Sequence, residues 1–237
     1  MRKKHRKPEQ VLQNLSIVVP AVMDSEENVS LHRLVDGVPV LVCTLQALNA
    51  LPMVHEIIIV TREAELLRIA ELCRNLELER VKHIIVCETP GFAALELGTY
   101  ACDCDVEYIG VHDSLWPFVT RAVVERAIKI AAIHGAAAPA VQVKDTIKIV
   151  EGNIIKETPN RSTLYAVQMP QIVQSSLLKA AIETARDKHP PAGDLQSVLE
   201  TLGLPLGLSE GCDENIPVRH ALDVPAAQGI LTWRAYR

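Results

Sequence analysis

The segment His112-Asp113-Ser114-Leu115-Trp116-Pro117-Phe118 follows directly on the apolar run Val106–Val111. A carboxylate placed just past a strand suits Mg2+, which takes one or two protein carboxylates and fills its octahedron with phosphate oxygens and water. An aspartate at a strand end also caps a local turn, so Asp113 by itself leaves both roles open. Asp213 and Glu214 form a second acidic pair within Gly211–Arg219. Asp213 would complete a metal site with Asp113; the alternative is a solvated loop. Lys144-Asp145-Thr146 and Arg161 offer a hydroxyl and a guanidinium, groups that grip a phosphate. Read differently, they are charged surface of the kind that keeps strand edges from associating.

These groups meet only if the strands that precede them end on one rim. Leu15–Val19 reads as a buried β-branched strand closed by Pro20. Further strands are expected at His55–Val60, Lys82–Cys87, Val106–Val111 and Ala140–Val143. Helical spacing fills Val38–Leu51, Arg62–Leu76, Gly91–Ala101 and Thr120–His134 between them. Helices at Val173–Arg186 and Gly193–Leu202, a short strand near Leu204–Leu208 and a closing segment from Leu222 complete the chain. Such alternation predicts an α/β fold, a mostly parallel sheet with helices on both faces. Ligands then bind beyond the carboxyl ends of the strands, which puts Pro20–Asp36, His112–Phe118, Lys144–Lys148 and Gly211–Arg219 on the same rim. Asp145–Val150, Gly152 and Ile154–Lys156 break the rhythm as a hairpin, with a return strand at Leu164–Val167. Its exposed apolar faces need a cover, so residues 145–168 are expected to form a dimerisation β-arm. Residues 1–14 are expected to be a basic, flexible terminus and 15–237 a single domain.

Composition narrows the classes. Among 237 residues, hydrophobic types make up 49% and charged types 22%, which suits an ordinary globular chain. A net charge of −5 and 3% aromatics argue against nucleic acid as a partner, since phosphate neutralisation and base stacking both lack their groups. None of the cysteines forms C-x-x-C, no apolar run reaches a membrane span, and the basic start lacks the apolar stretch of a secretory signal. These features fit a cytoplasmic protein with no membrane partner. There is no H-E-x-x-H, G-x-S-x-G, P-loop or G-x-G-x-x-G, so zinc protease, serine hydrolase and dinucleotide chemistry have no foothold.

His112-Asp113-x-x-x-Pro117-Phe118, Lys144-Asp145-Thr146-Ile147-Lys148, Arg161, Gln168-x-Pro170-Gln171 and Asn215-Ile216 occur in one order along the chain. In order and spacing this set resembles the 2-C-methyl-D-erythritol 4-phosphate cytidylyltransferases of non-mevalonate isoprenoid biosynthesis. The resemblance runs from about Ser16 to Ile230. It implies a Rossmann-like nucleotidyltransferase fold, a homodimer joined through the β-arm, CTP and a sugar-alcohol phosphate as substrates, and Mg2+. It implies Pro20, Ala21 and Asp113 at the nucleotide, Asp113 and Asp213 at the metal, and Asp145, Thr146 and Arg161 at the acceptor. Ribitol-phosphate cytidylyltransferases share these elements.

The chain also departs from the pattern. After Pro20-Ala21 the family has a Gly-rich, Arg-containing loop and a catalytic lysine; here Val22-Met23-Asp24-Ser25-Glu26-Glu27-Asn28 follows, with no glycine before Gly37. The lysine position falls near Ser30, and His32 or Arg33 is the nearest cation. Trp116 replaces an arginine, Pro217 replaces the lysine of Asn-Ile-Lys, Ala94 stands at a serine position, and the Thr-Asp-Asp element reads Ala192-Gly193-Asp194. Phosphoryl-type transfer depends on positioning and on stabilising developing charge. Asp24, Glu26 and Glu27 would repel a triphosphate. Two readings follow: a divergent cytidylyltransferase with Arg33 as substitute cation, or a non-catalytic pseudoenzyme that binds or regulates.

Overall fold

The computed structural model describes residues 14–22, 31–187 and 195–236. The basic start, the Asp24–Asn28 segment with Ser30, and Gly193-Asp194 lie outside them.

Seven strands lie in the order β10-β7-β11-β6-β1-β4-β5, with β12 also on β7. The central strand β1 (Leu15–Ala21) pairs in parallel with β4 (Val54–Thr61) and β6 (Tyr108–Val111). β5 (Val81–Val86) continues the parallel set beside β4. On the other flank β11 (Gln171–Gln174) runs antiparallel between β6 and β7 (Ala136–Gln142). β7 therefore points the same way as β6 and carries β10 (Tyr165–Val167) antiparallel and β12 (Gly207–Glu210) parallel. The sheet is α/β and mostly parallel.

Burial explains the layers. β1 and β4 are near-continuous apolar runs because both faces of the sheet are covered, as parallel strands require. One face packs Ile17, Val19, Ile57 and Ile59 against α1 (Val40–Asn49), α2 (Glu63–Asn75), α4 (Arg121–His134) and α7 (Asp223–Ala235). The other packs Val18, Ile58 and Val60 against α3 (Phe92–Tyr100), α5 (Ser175–Asp187) and α6 (Leu195–Glu200). Gly98 in α3 is required there: a Cβ would run into Val18 and Val60.

Several expectations change: β1 runs through Pro20 to Ala21, and β7 starts at Ala136 rather than Ala140 and takes in Pro139. The stretch from Val173 is not wholly helical, because Gln171–Gln174 fills the gap between β6 and β7 before α5 starts at Ser175. Four residues with two buried apolar side chains carry too little periodicity to separate a strand from a helix start. The hairpin is also shorter than Asp145–Val150 suggests: it comprises β8 (Ile149–Glu151) and β9 (Ile154–Glu157), and Asp145–Lys148 is irregular. Gly152 turns it with φ +58, a left-handed value glycine takes without strain. Ile149, Val150, Ile154 and Ile155 are all exposed on this hairpin. No helix among the described residues is long and apolar enough to cross a membrane.

Candidate active site

Because β1, β6, β7 and β12 share a direction, their carboxyl ends form one rim. Pro20 and Ala21 are the last residues of β1, one half-buried and one buried, two and three positions past the final β1–β6 pair of Val18 with Val111. Past β6, the His112 N–H extends the ladder to the Val18 carbonyl at 2.9 Å. Leu115, Trp116 and Phe118 then sink into the protein and pull the chain into a tight turn.

Asp113 sits on this turn and does two things. Its Oδ1 accepts the Leu115 N–H at 2.9 Å, an Asx-type cap. Its Oδ2 accepts from Arg219 Nη2 at 3.0 Å, an ion pair that joins residues 106 positions apart. His112 beside it is wholly buried, and its Nε2–H donates to the Trp116 carbonyl at 2.9 Å. Burial drives the imidazole pKa down to about 4, against smaller upward pulls from that bond and from Asp113. Trp116, where the resemblance implies an arginine, is buried.

Past β7, Lys144 Nζ meets Asp213 Oδ2 at 2.8 Å, and Arg161 Nη1 donates to the Lys144 carbonyl at 3.0 Å. Lys144, Arg161, Tyr165, Gly211, Cys212 and Asp213 are among the walls of an open groove of about 770 Å3. Asp145 and Thr146 follow in the exposed connection to β8, next to the groove's walls rather than among them. Arg33 precedes the small hairpin of β2 (Leu34–Val35) and β3 (Val38–Pro39), where its carbonyl accepts the Val40 N–H at 2.9 Å. The structure thus brings Lys144, Arg161 and Asp213 together and sets Asp113 with Arg219.

The segment 211–219 links the two clusters, and three side chains lock it. Gln168, almost wholly buried, donates through Nε2 to the carbonyls of Cys212 (2.8 Å) and Asn215 (3.1 Å) and accepts the Cys212 N–H at 3.0 Å. Arg126 of α4 donates to the Glu210 and Gly211 carbonyls at 2.8 and 2.9 Å. Arg234 of α7 pairs with Glu214 at 3.0 Å, bonds the Phe118 carbonyl at 2.9 Å and covers the Phe118 ring. Gly211 is tied to this clamp, since a Cβ would strike Gln168 Oε1. Sequence reading found Gln168 only as part of a motif and missed Arg126, Arg219 and Arg234. Lone arginines on helices or loops give no local signal until the topology places them.

The expected magnesium pair can be tested against this geometry. Asp113 has both oxygens engaged, one on a backbone N–H and one on a guanidinium, and Asp213 is paired with Lys144. Each carboxylate is already neutralised by a protein cation, so as arranged the two do not fit a shared Mg2+ cradle. The group Asp103, Cys104 and Asp105 is exposed in the turn before β6, at the opposite rim, and none of the three belongs to this site.

Residues 17–233 match the family model for 2-C-methyl-D-erythritol 4-phosphate cytidylyltransferase. The enzyme of that name from Desulforamulus reducens is 35% identical over 93% of this chain and 97% of its own length. The one from Caldanaerobacter subterraneus subsp. tengcongensis is 31% identical over 91% of this chain and 97% of its own. Among solved structures, 4-diphosphocytidyl-2C-methyl-D-erythritol synthase from Anaerococcus prevotii superposes with a TM-score of 0.80 at 23% identity, covering 92% of this chain and 98% of that one. The 2-C-methyl-D-erythritol 4-phosphate cytidylyltransferase of Thermus thermophilus gives 0.73 at 26% identity, over 91% of this chain and 98% of its own. The strand order that builds the rim is therefore a nucleotidyltransferase fold, and the chain belongs to the 2-C-methyl-D-erythritol 4-phosphate cytidylyltransferase family of isoprenoid biosynthesis.

Proposed function

We propose that this chain transfers CMP from CTP to 2-C-methyl-D-erythritol 4-phosphate and releases pyrophosphate. The observation that carries this reading is the joining of two cation-bearing clusters, Asp113–Arg219 and Lys144–Arg161–Asp213, by one locked segment on the carboxyl rim. In the reaction an acceptor phosphate oxygen bonds to the α-phosphorus, and the bond from that phosphorus to the bridging oxygen of pyrophosphate breaks. Arg161 and Lys144 would hold the acceptor phosphate along the groove, with Asp145 and Thr146 at its mouth. Pro20 and Ala21 at the end of β1 would border the nucleotide, with Arg33 nearby in sequence. Positioning and fixed charge of this kind supply most of the catalysis in phosphoryl-type transfer.

The β8–β9 hairpin supports a homodimer, because Ile149, Val150, Ile154 and Ile155 leave it apolar on its exposed surface. Light scattering at micromolar concentration should return about twice the 26.0 kDa chain mass; a monomer refutes the dimer. All six cysteines are free thiols, which supports a reducing compartment and hence the cytoplasm.

The second reading, a pseudoenzyme that binds or regulates, is favoured by the acidic Asp24, Glu26 and Glu27 and by Pro217 and Ser30 at lysine positions. A pyrophosphate-release assay with CTP, run separately with 2-C-methyl-D-erythritol 4-phosphate and ribitol 5-phosphate, decides between them. Turnover with the first acceptor supports the proposal. Turnover only with the second reassigns the substrate, and tight CTP binding without release identifies the pseudoenzyme. In the active case Arg161→Ala should raise the KM for the acceptor about tenfold or more while the KM for CTP stays within twofold, since charge-assisted bonds to phosphate are among the stronger ones. An unchanged acceptor KM removes Arg161 from the site.

A further inference from the structure

Arg219 is held for a purpose that stability does not supply. Val218 is fully buried and its N–H bonds the Leu115 carbonyl at 2.8 Å. The Asp223 carboxylate accepts the N–H groups of Arg219 and His220 at 2.8 and 2.7 Å. The backbone of Arg219 is thereby fixed from both sides. Its guanidinium reaches back to Asp113 across the rim, 48% exposed, while Asp113 is 25% exposed. An ion pair this open to water contributes little to stability. What it does supply is a fixed direction for a permanent cation.

The chemistry left over is that of an anion receptor. A guanidinium has five N–H donors in a planar fork. One nitrogen, Nη2, bonds Asp113, and among the described residues the side chain has no second protein partner. The remaining donors match phosphate oxygens, which arginine binds through two parallel bonds. Within Asn215-Ile216-Pro217-Val218-Arg219 the guanidinium at 219 is the one cation. The cation lies on the Asp113 turn, away from Arg33 in the chain and on a different element.

We propose that Arg219 is a cation that binds the nucleotide's phosphates on this rim, apart from the Arg161–Lys144 groove, and that Asp113 acts as its anchor. The inference rests on the nucleotidyl-transfer reading and extends it to a residue outside the family motifs. The anchor explains why the magnesium pair does not fit: the oxygen that would face a metal faces a guanidinium. Asp113 is a positioning residue here, and Arg219 touches the substrate phosphates.

The test compares CTP, tripolyphosphate and cytidine on the full-length protein and on Arg219→Ala, Arg219→Lys and Asp113→Asn, by titration calorimetry and NMR. Urea unfolding midpoints check that each variant is folded. Arg219→Ala should weaken CTP and tripolyphosphate at least tenfold and leave cytidine within twofold. Arg219→Lys should recover part of the loss, because it returns the charge without the fork. Asp113→Asn should weaken the same two ligands by a smaller factor, because the cation stays but loses its fixed direction. CTP binding to Arg219→Ala within twofold of the parent overturns the inference and leaves the transferase reading standing. Equal weakening of cytidine and CTP also overturns it, as damage to the fold of the rim. Arg219-dependent binding of tripolyphosphate with no binding of CTP or cytidine keeps the phosphate site and removes the nucleotide reading. No binding of any of the three removes both.

Discussion

Gln168→Leu should lower the unfolding free energy by about 3 kcal/mol and abolish phosphate binding at the rim. Leucine fits the volume but removes two donors and one acceptor from a side chain that is 4% exposed. The Cys212 N–H and the carbonyls of Cys212 and Asn215 then lose their partners, and a buried polar group left unsatisfied costs about 1–3 kcal/mol. Water entering the opened clamp recovers part of this, which holds the total near the lower end of the sum. The larger consequence is geometric. Asp213 and Arg219 lie on the segment that Gln168 fixes, so both ion pairs, Lys144–Asp213 and Asp113–Arg219, lose their register together. Misplacement of a charged group by about 1 Å in such a site is enough for a hundredfold loss of rate. Urea titration reads the first effect and CTP calorimetry the second. A stability loss below 1 kcal/mol with intact binding would show that the clamp is ornamental. Gln168→Glu separates the parts, since it keeps the acceptor for the Cys212 N–H and loses the two donors.

The contrast between what the chain announces and what it conceals follows from range. The long apolar runs at Leu15–Ala21 and Val54–Thr61 declare themselves because both faces are buried and every residue carries the signal. Gln171–Gln174 was hidden because its pairing is wholly non-local: its partners are β6, some sixty residues back, and β7. The rim follows from strand direction alone, which puts the segments that carry Asp113 and Asp213 on one edge of the sheet. Their partners were not legible. Nothing near Asp113 in sequence points to Arg219, and nothing near Asp213 distinguishes Lys144 from Lys148. A carboxylate's role depends on which cation reaches it, and the topology decides that. The motif Gln168-x-Pro170-Gln171 was legible as a pattern, whereas its work as a clamp appears only once β7, β10 and β12 bring 168 beside 211–215.

His112 gives the rim a pH dependence whose sign can be worked out. The imidazole is wholly buried and its pKa falls from 6.5 to about 4 because burial disfavours the charged form. In the unfolded chain the same group titrates near 6.5. At pH 7.5 neither state holds the proton and His112 stabilises fully. Between about pH 6.5 and pH 4 the unfolded chain takes up a proton that the folded protein refuses, so stability falls with falling pH. The slope approaches 1.4 kcal/mol per unit, and the loss totals about 3 kcal/mol by the time the pH passes the folded value. Folding in this window should therefore release about one proton. His112→Gln keeps an N–H for the Trp116 carbonyl but has nothing to titrate. It should be less stable than the parent at pH 7.5, because the ring's packing beside Asp113 is lost, yet decline more gently on acidification. Urea midpoints at pH 7.5, 6.5, 5.5 and 4.5 measure the two slopes, and the difference between them should correspond to about one proton. Parallel slopes would show that His112 exchanges protons equally in both states, which its burial forbids. Because His112 directly precedes Asp113, acid that forces a charge onto this ring must also open the turn that aims Asp113 at Arg219. In the folded protein the ring stays neutral until about pH 4, so phosphate binding in the parent should hold through the window in which stability declines and fall only near pH 4, a step that His112→Gln should lack.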